Sequence, residues 1–508
     1  MNLSSVKLRF LVSLGANVGR AGISFLTAIL IARGLSPMGY GDLFFLLGSF
    51  TAIRALLDMG TSQAFYTFIA QSVRSKSFYF VYFLWLLLQF VVILFVIWIL
   101  LPDSIIEKVW LGHTREVILL AFMASFMQQQ IWSTVVQICE AVRKTVLVQM
   151  TGLAVVTTHF LIVLLLLWGN WLTVHVVLLT LMFEYLAATS FSWWVLKKHP
   201  KEATEVFCLK RTLEDYWVFC RPLIVVAVVS FLYEFLDRWL LQRFGGSEQQ
   251  GFYQISAQFA AVSLLATVAI LSILWKEIAE AYKQGNHDRV NRLYHKVSRS
   301  LLMVGAVVAC FLIPWSEQLT VLLLGEAYKN AWPVLAVMFL YPVHQSMGQI
   351  NGTMFMACER TSPYMYLSIL GMLLSMPVTY MVLVPADIWL VSGLGLGALG
   401  LALKMVGMNI LLVNLQGFML ARFHGWKFDW WYQIEGLIVL IVMSIIVQKV
   451  VNTLISDAHL IVLLGASALL YLLGVMLYIW LRPNQFGIEK SDILRGLNFL
   501  KGLVKHVV

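Results

Sequence analysis

The sequence predicts an all-α, polytopic membrane protein with about fourteen transmembrane helices. Of its 508 residues 60% are apolar and only 12% are charged, and the mean hydropathy is +0.83. Soluble chains carry about a quarter charged residues, so a set of water-soluble domains is excluded. A spanning helix needs roughly 20 residues, and apolar segments occupy nearly the whole chain. Too little sequence is left over for a soluble catalytic domain.

Apolar runs bounded by charges, glycine and proline define the individual spans. We place them at residues 10–32, 40–69, 78–100, 116–139, 146–168, 172–196, 213–242, 252–275, 300–324, 331–357, 364–384, 392–420, 433–455 and 459–481. With the N-terminus inside, the cytoplasmic loops and both termini hold 25 of the 36 Lys and Arg residues, whereas the outer loops hold 6. This excess predicts that both termini are cytoplasmic.

The segments between spans are short. The longest outer loop runs from about Leu101 to Arg115, and the two largest cytoplasmic loops have about 20 to 25 residues. A membrane glycan polymerase or ligase usually needs a larger loop for its catalytic groups, so that class is disfavoured. The five cysteines show neither paired nor metal-ligand spacing, so no disulfide framework, metal site or cofactor is expected.

A weak internal repeat appears at an offset of 210 residues. It superposes Phe25, Leu26, Leu30, Arg33 and Gly41 on Phe235, Leu236, Leu240, Arg243 and Gly251. An offset of six spans predicts a parallel repeat of two transporter halves. We therefore expect an N-lobe at residues 1–200 (spans 1 to 6), a C-lobe at 201–425 (spans 7 to 12), an added pair of spans at 426–482, and a cytoplasmic tail at 483–508. From about Ile488 the tail has an amphipathic pattern, typical of a helix on the anionic inner membrane surface or of a solvated tail.

Four segments carry a resemblance to a known family. They are FLTAILIARGLSPMGYG (Phe25 to Gly41), LLDMGTSQAF (Leu56 to Phe65), EIAEAYKQGNHDRVNRLYHKVSR (Glu277 to Arg299) and LLLGEAYKNAWPVLAVM (Leu322 to Met338). In this order they resemble the Wzx-type polysaccharide flippases of the multidrug/oligosaccharidyl-lipid/polysaccharide (MOP) exporter superfamily. One departure is LSILWKEIAE (Leu271 to Glu280), where relatives often have a proline.

The resemblance implies two pseudo-symmetric six-helix lobes around a central cavity, plus the C-terminal helix pair, and transport by alternating access. It predicts a flippase in the bacterial inner membrane that moves an undecaprenyl-diphosphate-linked oligosaccharide outward for O-antigen, capsule or exopolysaccharide assembly. Expected partners are this lipid-linked substrate, membrane lipids, and candidate polymerase and chain-length proteins, with no nucleic acid. The alternatives are a multidrug antiporter of the same superfamily and a glycan polymerase or ligase.

Cations inside the spans are the candidate substrate-binding residues, because a diphosphate is anionic and arginine binds phosphate oxygens in pairs. Arg20 is the first candidate, since Ser13, Asn17, Arg20, Ser24 and Thr27 form one polar stripe on span one. A similar stripe on span four holds Ser125, Gln129, Ser133 and Glu140, with Gln128, Gln130 and Gln137 nearby. Such groups suit sugar hydroxyls, and helix-to-helix hydrogen bonding explains them equally well.

The other candidate cations are Lys404, Arg238, Arg54 and Arg221, and the candidate ion-coupling or gating carboxylates are Asp58, Glu184, Glu234 and Asp237. Arg54 with Asp58 and Glu234 with Arg238 have the four-residue spacing of helical ion pairs, so internal neutralisation competes with a binding role. Arg221 precedes Pro222 near a span end, where it is able to snorkel to the interface.

Three histidines lie in apolar spans, namely His159, His175 and His344. We expect each to be a satisfied core residue. Pro342, Gly348 and Gly352 are expected to interrupt span ten as a hinge or cavity wall.

Overall fold

The computed structural model describes residues 6–197, 207–387, 392–455 and 458–489, and every regular element within these ranges is helical. The first ten α-helices are α1 (Val6–Asp58), α2 (Thr61–Gln71), α3 (Lys76–Phe95), α4 (Asp103–Trp110), α5 (Arg115–Phe126), α6 (Trp132–Ala141), α7 (Thr145–Trp168), α8 (Val174–Lys197), α9 (Leu209–Cys220) and α10 (Leu223–Ser263). The others are α11 (Leu265–Lys283), α12 (His287–Leu312), α13 (Ser316–Leu324), α14 (Trp332–Met338), α15 (Tyr341–Ala357), α16 (Thr361–Leu383), α17 (Gly397–His424), α18 (Trp431–Leu454) and α19 (Leu460–Leu481).

Over the described ranges, nine helices are long and apolar enough to cross a membrane, or ten when the bent pair α9 and α10 counts as one span. The all-α, polytopic fold class is confirmed. The count of fourteen and the lobe boundaries remain predictions, and residues 490–508 of the predicted tail lie outside the described part of the chain.

The chain folds into two compact units. Unit 1 comprises Met1–Ile255 with Met372–Leu401, and unit 2 comprises Ser256–Gly371 with Ala402–Val508. In unit 1 an aromatic core forms where Phe65 stacks on Tyr82, with ring centroids 3.8 Å apart. In unit 2 the fully buried Ile350 and Phe355 of α15 pack with residues of α11 and α12.

Helices α1 and α10 break at equivalent positions of the repeat. Ser36 has φ 61° and ψ 170°, and Gly246, which lies 210 residues later, has φ 79° and ψ 177°. These left-handed φ values end one helical segment and redirect the next. The predicted turn between spans one and two, and its counterpart between spans seven and eight, therefore have the same backbone form.

The two turns also contact each other reciprocally. A Cβ on Gly41 would overlap the carbonyl oxygen of Ser247, and a Cβ on Gly251 would overlap that of Pro37. Ser247 and Pro37 are again related by the offset of 210 residues. Asp42 adds a polar contact, since its Oδ1 accepts a hydrogen bond from Ser247 Oγ at 2.5 Å. Glycine is required at both positions because backbone rests directly on backbone.

The predicted interruption of span ten lies at Phe339 and Leu340, between α14 and α15. Pro342 follows in the first turn of α15, where its missing N–H leaves no helical hydrogen bond unmade. Proline therefore marks the start of the second segment rather than the break itself.

Candidate functional site

The polar stripe on span one leads to a contact between α1 and α7. The guanidinium of Arg20 donates to Asn17 Oδ1 on its own helix and to Gln149 Oε1 on α7 at 2.7 Å. One turn after Gln149, α7 has Gly152, and a Cβ there would lie 2.7 Å from Arg20 Nη1. The guanidinium thus lies close against α7 and is oriented by two neutral amides.

Span four is built around a π-helical segment, Met127–Ile131, inserted between α5 and α6. Three consecutive glutamines of this π segment contact two other helices: Gln128 Nε2 donates to Tyr185 Oη at 3.2 Å, Gln129 Nε2 donates to Thr51 Oγ1 at 2.8 Å, and Gln130 Oε1 accepts from Arg54 Nε at 3.0 Å. Segments of this kind are frequent at functional sites. The extra residue of the π turn lets consecutive side chains reach α1 and α8 together.

Beside Arg54 lies a small cavity of about 20 Å³, lined by Arg54, Gln89, Ser125, Gln130 and the rings of Phe50, Phe122 and Phe126. A space of this size holds about one water molecule. Ser125 of the stripe predicted on span four and the nearby Gln130 form part of its polar wall. Arg54 therefore has a neutral amide as its hydrogen-bond partner and a small, mainly apolar cavity beside it.

The ion pair suggested by the spacing of Arg54 and Asp58 does not form. Asp58 Oδ1 instead accepts hydrogen bonds from the backbone N of Ser62 at 2.9 Å, from Ser62 Oγ at 2.6 Å and from Thr61 Oγ1 at 3.1 Å. These bonds satisfy the start of α2, where backbone N–H groups lack helical partners. The donors at the start of α2 therefore bind the Asp58 carboxylate in place of the Arg54 guanidinium.

Nor does Arg238 pair with Glu234 on α10. The Arg238 guanidinium packs against Gly48 of α1, where a Cβ would overlap it. Its Nη1 is buried without a hydrogen bond among the described residues. Asp237, the next residue toward the N-terminus, is 8% exposed and accepts a hydrogen bond from Thr379 Oγ1 of α16 at 2.7 Å.

Two candidate cations lie elsewhere. Arg221 is exposed and follows the last residue of α9, at the 56° bend between α9 and α10. Lys404 is 3% exposed in the part of α17 that belongs to unit 2. Arg20 and Arg54 on α1 and Arg238 on α10 therefore all belong to unit 1, whereas Lys404 belongs to unit 2.

The three histidines differ. His344 is a satisfied core residue, as predicted, since it is 4% exposed and its Nε2 lies 3.1 Å from Gln433 Oε1. The prediction for His175 is wrong, because its side chain is exposed. His159 has a charged neighbour that sequence reasoning missed: its Nδ1 lies 2.9 Å from Glu184 Oε2.

Comparisons with known proteins agree with this architecture. Residues 9–273 match the family model described as polysaccharide biosynthesis protein, and residues 222–381 match the model described as MatE. A search of curated protein sequences finds no match.

Solved structures show the same fold at low sequence identity. One is "Lipid II flippase MurJ, inward closed conformation", with 14% identity and a TM-score of 0.65 over 93% of this chain and 98% of that one. Another is an inward-facing multidrug resistance MATE family transporter of the MOP superfamily, with 15% identity and a TM-score of 0.61 over 81% of this chain and 97% of that one. An outward-facing MATE transporter gives 15% identity and a TM-score of 0.53 over 82% and 95%.

Proposed function

Because the chain belongs to the polysaccharide biosynthesis protein family and has the fold of MOP-superfamily transporters, we propose that it is a flippase for a lipid-linked oligosaccharide. The proposed cargo is an undecaprenyl-diphosphate-linked oligosaccharide. It would move from the cytoplasmic to the outer leaflet of the bacterial inner membrane by alternating access, for O-antigen, capsule or exopolysaccharide assembly.

One observation carries this proposal. Among the described residues, Arg20, Arg54 and Arg238 form no ion pair with a carboxylate, and the side chains that accept hydrogen bonds from Arg20 and Arg54 are amides. A cation in a membrane span costs about 2.5–3.5 kcal/mol on insertion scales, so three cost roughly 7–11 kcal/mol. A diphosphate is an anion that would compensate this cost while it is bound, and the guanidinium fork suits its oxygens.

The glutamines of the π segment support a sugar-bearing cargo. Gln128 and Gln129 are half-buried, and Asn17 and Ser24 of the α1 stripe are exposed. These side chains both donate and accept hydrogen bonds, as sugar hydroxyls do. A multidrug antiporter for cationic drugs would favour acidic groups at these places, so the cationic set favours the flippase.

Transport needs a bias between the two facing states. We propose Asp237 and Glu184 as the first coupling carboxylates because both are buried in helices. Glu234 remains a gating candidate, whereas Asp58 is engaged at the start of α2. The cytoplasmic location of both termini, and polymerase and chain-length proteins as partners, belong to the same proposal.

The test is translocation of a fluorescent polyprenyl-diphosphate oligosaccharide in proteoliposomes. We expect Arg20→Ala to abolish translocation and Arg20→Lys to restore only part of it, since lysine keeps the charge without the fork. Arg243→Ala is the matched control, because Arg243 is exposed. Wild-type translocation by Arg20→Ala would remove the anion-site assignment, and consumption of the lipid-linked sugar would point to a polymerase or ligase.

A further inference from the structure

A histidine and a glutamate face each other inside neighbouring helices of unit 1. His159 of α7 and Glu184 of α8 approach to 2.9 Å between Nδ1 and Oε2, and their side chains are 14% and 7% exposed. No hydrogen bond from the described residues reaches either carboxylate oxygen of Glu184. The His159 imidazole is thus in direct reach of the Glu184 carboxylate and is able to compensate its negative charge.

The proton content of the pair sets its charge. With one proton, carried by either the imidazole or the carboxyl group, the pair is neutral overall. Without that proton it carries one negative charge, which is expensive in a buried site. Histidine is the side chain whose charge ordinarily changes between about pH 5 and 8. The His159–Glu184 pair is therefore a buried site at which a single proton decides the net charge.

The elements packed against α7 and α8 are α1, α5, α6 and the π segment, and they carry further charged side chains. Glu184 acts electrostatically on the neighbouring Tyr185 of α8, and Tyr185 and Glu140 of α6 act on Arg20 of α1. At the beginning of α5, Arg115 pairs with Asp103 and Glu116 is exposed. The π segment contributes amides and no titratable group.

The pair is connected to the candidate cargo site by two short routes. Tyr185 follows Glu184 directly and accepts a hydrogen bond from Gln128 of the π segment at 3.2 Å. The charge of Arg20 acts electrostatically on Tyr185. Helix α7 carries both His159 and Gln149, the amide that orients Arg20. Tyr185 on one route and α7 on the other therefore join the pair to groups that contact Arg20 or act on its charge.

We propose that His159 and Glu184 bind one exchangeable proton and that this proton regulates anion binding at Arg20. The inference rests on the proposed function for its second half. The proton comes from water and returns to water, and the pair changes between a charge of minus one and zero. In its negative state the pair opposes an anion at Arg20, and in its neutral state it does not. By linkage, a bound anion also favours proton uptake.

The first experiment tests the proton site without any transport assay. Infrared difference spectra of the full-length protein in nanodiscs are recorded while the pH is changed. We expect a pH-dependent band from the pair, which is either the carbonyl band of a protonated buried carboxyl group or a set of imidazole ring bands. The carbonyl band disappears in Glu184→Gln, the ring bands disappear in His159→Asn, and whichever band remains titrates at a different pH in the variant. The matched controls are His175→Asn and Glu116→Gln, since both side chains are exposed. Spectra of Glu184→Gln identical to wild type would overturn the proposal.

The second experiment tests regulation with pyrophosphate as the probe. In the wild type we expect the affinity for pyrophosphate to fall as the pH rises through the infrared titration of the pair, by roughly 5- to 150-fold, the usual range of coupling between sites. Glu184→Gln mimics the neutral pair, so it should bind tightly throughout this range. Equal pH dependence in both proteins would overturn the regulation.

The infrared titration and the pyrophosphate measurement distinguish failure of the proton site from failure of the anion site. If pyrophosphate binds wild type at no pH, the anion site of the proposed function and its regulation both fail, while the infrared titration still decides the proton site. Thermal melting checks that each variant is folded. Should Glu184→Gln misfold, Glu184→Asp keeps the carboxyl group on a shorter side chain and must shift the infrared titration.

Discussion

Arg20 is oriented by side chains that do not neutralise it. Asn17 and Gln149 accept its N–H groups through amide oxygens, so the guanidinium is fixed in direction by neutral groups. Glu140 acts on the Arg20 charge through space, without an ion pair between the two side chains. A carboxylate in the same place would hold the side chain and also cancel the charge. Amide partners therefore combine preorganisation with an affinity for anions, which is what a site for a diphosphate requires.

Removal of the Gln149 amide tests whether anion binding at Arg20 depends on this orientation of its guanidinium. We expect Gln149→Ala to weaken pyrophosphate binding by roughly 10- to 100-fold, because a hydrogen bond to a charged group contributes about 1.5–3 kcal/mol. Isothermal titration of the purified protein measures the change. Gln63→Ala, at an exposed position of α2, should bind as wild type does. Unchanged affinity in Gln149→Ala would mean that Arg20 needs no orientation from α7.

Arg238 offers a different test. Its buried Nη1, without a hydrogen bond among the described residues, lowers the stability of the fold, and a role in binding the anionic cargo would explain why the residue is there. Arg238→Met removes a half-buried cation whose Nη1 has no hydrogen bond, so we expect the free energy of unfolding to rise by about 1–3 kcal/mol. Translocation should fall in the same variant, a trade-off common at functional sites. Thermal unfolding in detergent and the proteoliposome assay measure the two effects. Arg243→Met is the control, and lower stability in Arg238→Met would contradict the idea.

Contacts between single residues were predicted correctly from the sequence where spacing along one helix is enough to determine the contact. The stripe around Arg20 follows from steps of three and four residues, and the structure places Asn17 and Arg20 in contact. The same rule suggested a pair of Arg54 with Asp58, yet the unpaired N–H groups at the start of α2 compete for Asp58. The contact of His159 with Glu184 joins two helices, so no spacing rule within one helix reveals it.

At the scale of elements, the turns of α1 and α10 depend on two glycines. We expect Gly41→Ala and Gly251→Ala each to lower the free energy of unfolding by about 1–3 kcal/mol, the usual cost of overpacking. The new Cβ would overlap a backbone oxygen, which is unable to move aside as a flexible side chain would. Unfolding in detergent measures the loss. Gly22→Ala is the matched control, since a Cβ there meets nothing within 4 Å and alanine favours the helix. Equal stability of all three variants would contradict the close approach.

The sequence predicted these elements unequally well. Apolar runs located the helices, and the repeat located the turns after Arg33 and Arg243, which the structure places at Ser36 and Gly246. The π segment within span four was missed, because one inserted residue leaves the apolar composition unchanged. Its only trace in the sequence is the run of three glutamines, whose side chains contact α1 and α8.

For the whole molecule, the distribution of basic residues predicts which side each loop faces. Cys208 provides a native reporter, because it is exposed while Cys139, Cys220, Cys310 and Cys358 are buried. It lies between α8 and α9 in a loop predicted to be cytoplasmic. We expect a membrane-impermeant thiol reagent to label the protein in inverted vesicles and not in intact cells, with Cys208→Ser as the control. Labelling from outside the cell would reverse the predicted topology.

The fold as a whole is compatible with more than one cargo. Its similarity extends both to a lipid II flippase and to multidrug transporters, all at about the same low identity. The fold alone therefore does not identify the cargo, and the proposal for this chain depends on the charged residues inside its spans. Composition was sufficient to predict the membrane class, whereas the separation into two compact units depends on contacts that composition does not contain.

Arg20, Arg54 and Arg238, which form no ion pair within the described part of the chain, also bear on how the purified protein should be handled. Any anion that binds only the folded state stabilises it, by about 2.7 kcal/mol at a hundred times its dissociation constant. Phosphate or sulfate in a buffer would then act as a ligand, and the melting temperature of a preparation would depend on its salt. Stability comparisons among variants are consequently meaningful only when the identity and concentration of the buffer anion are held constant.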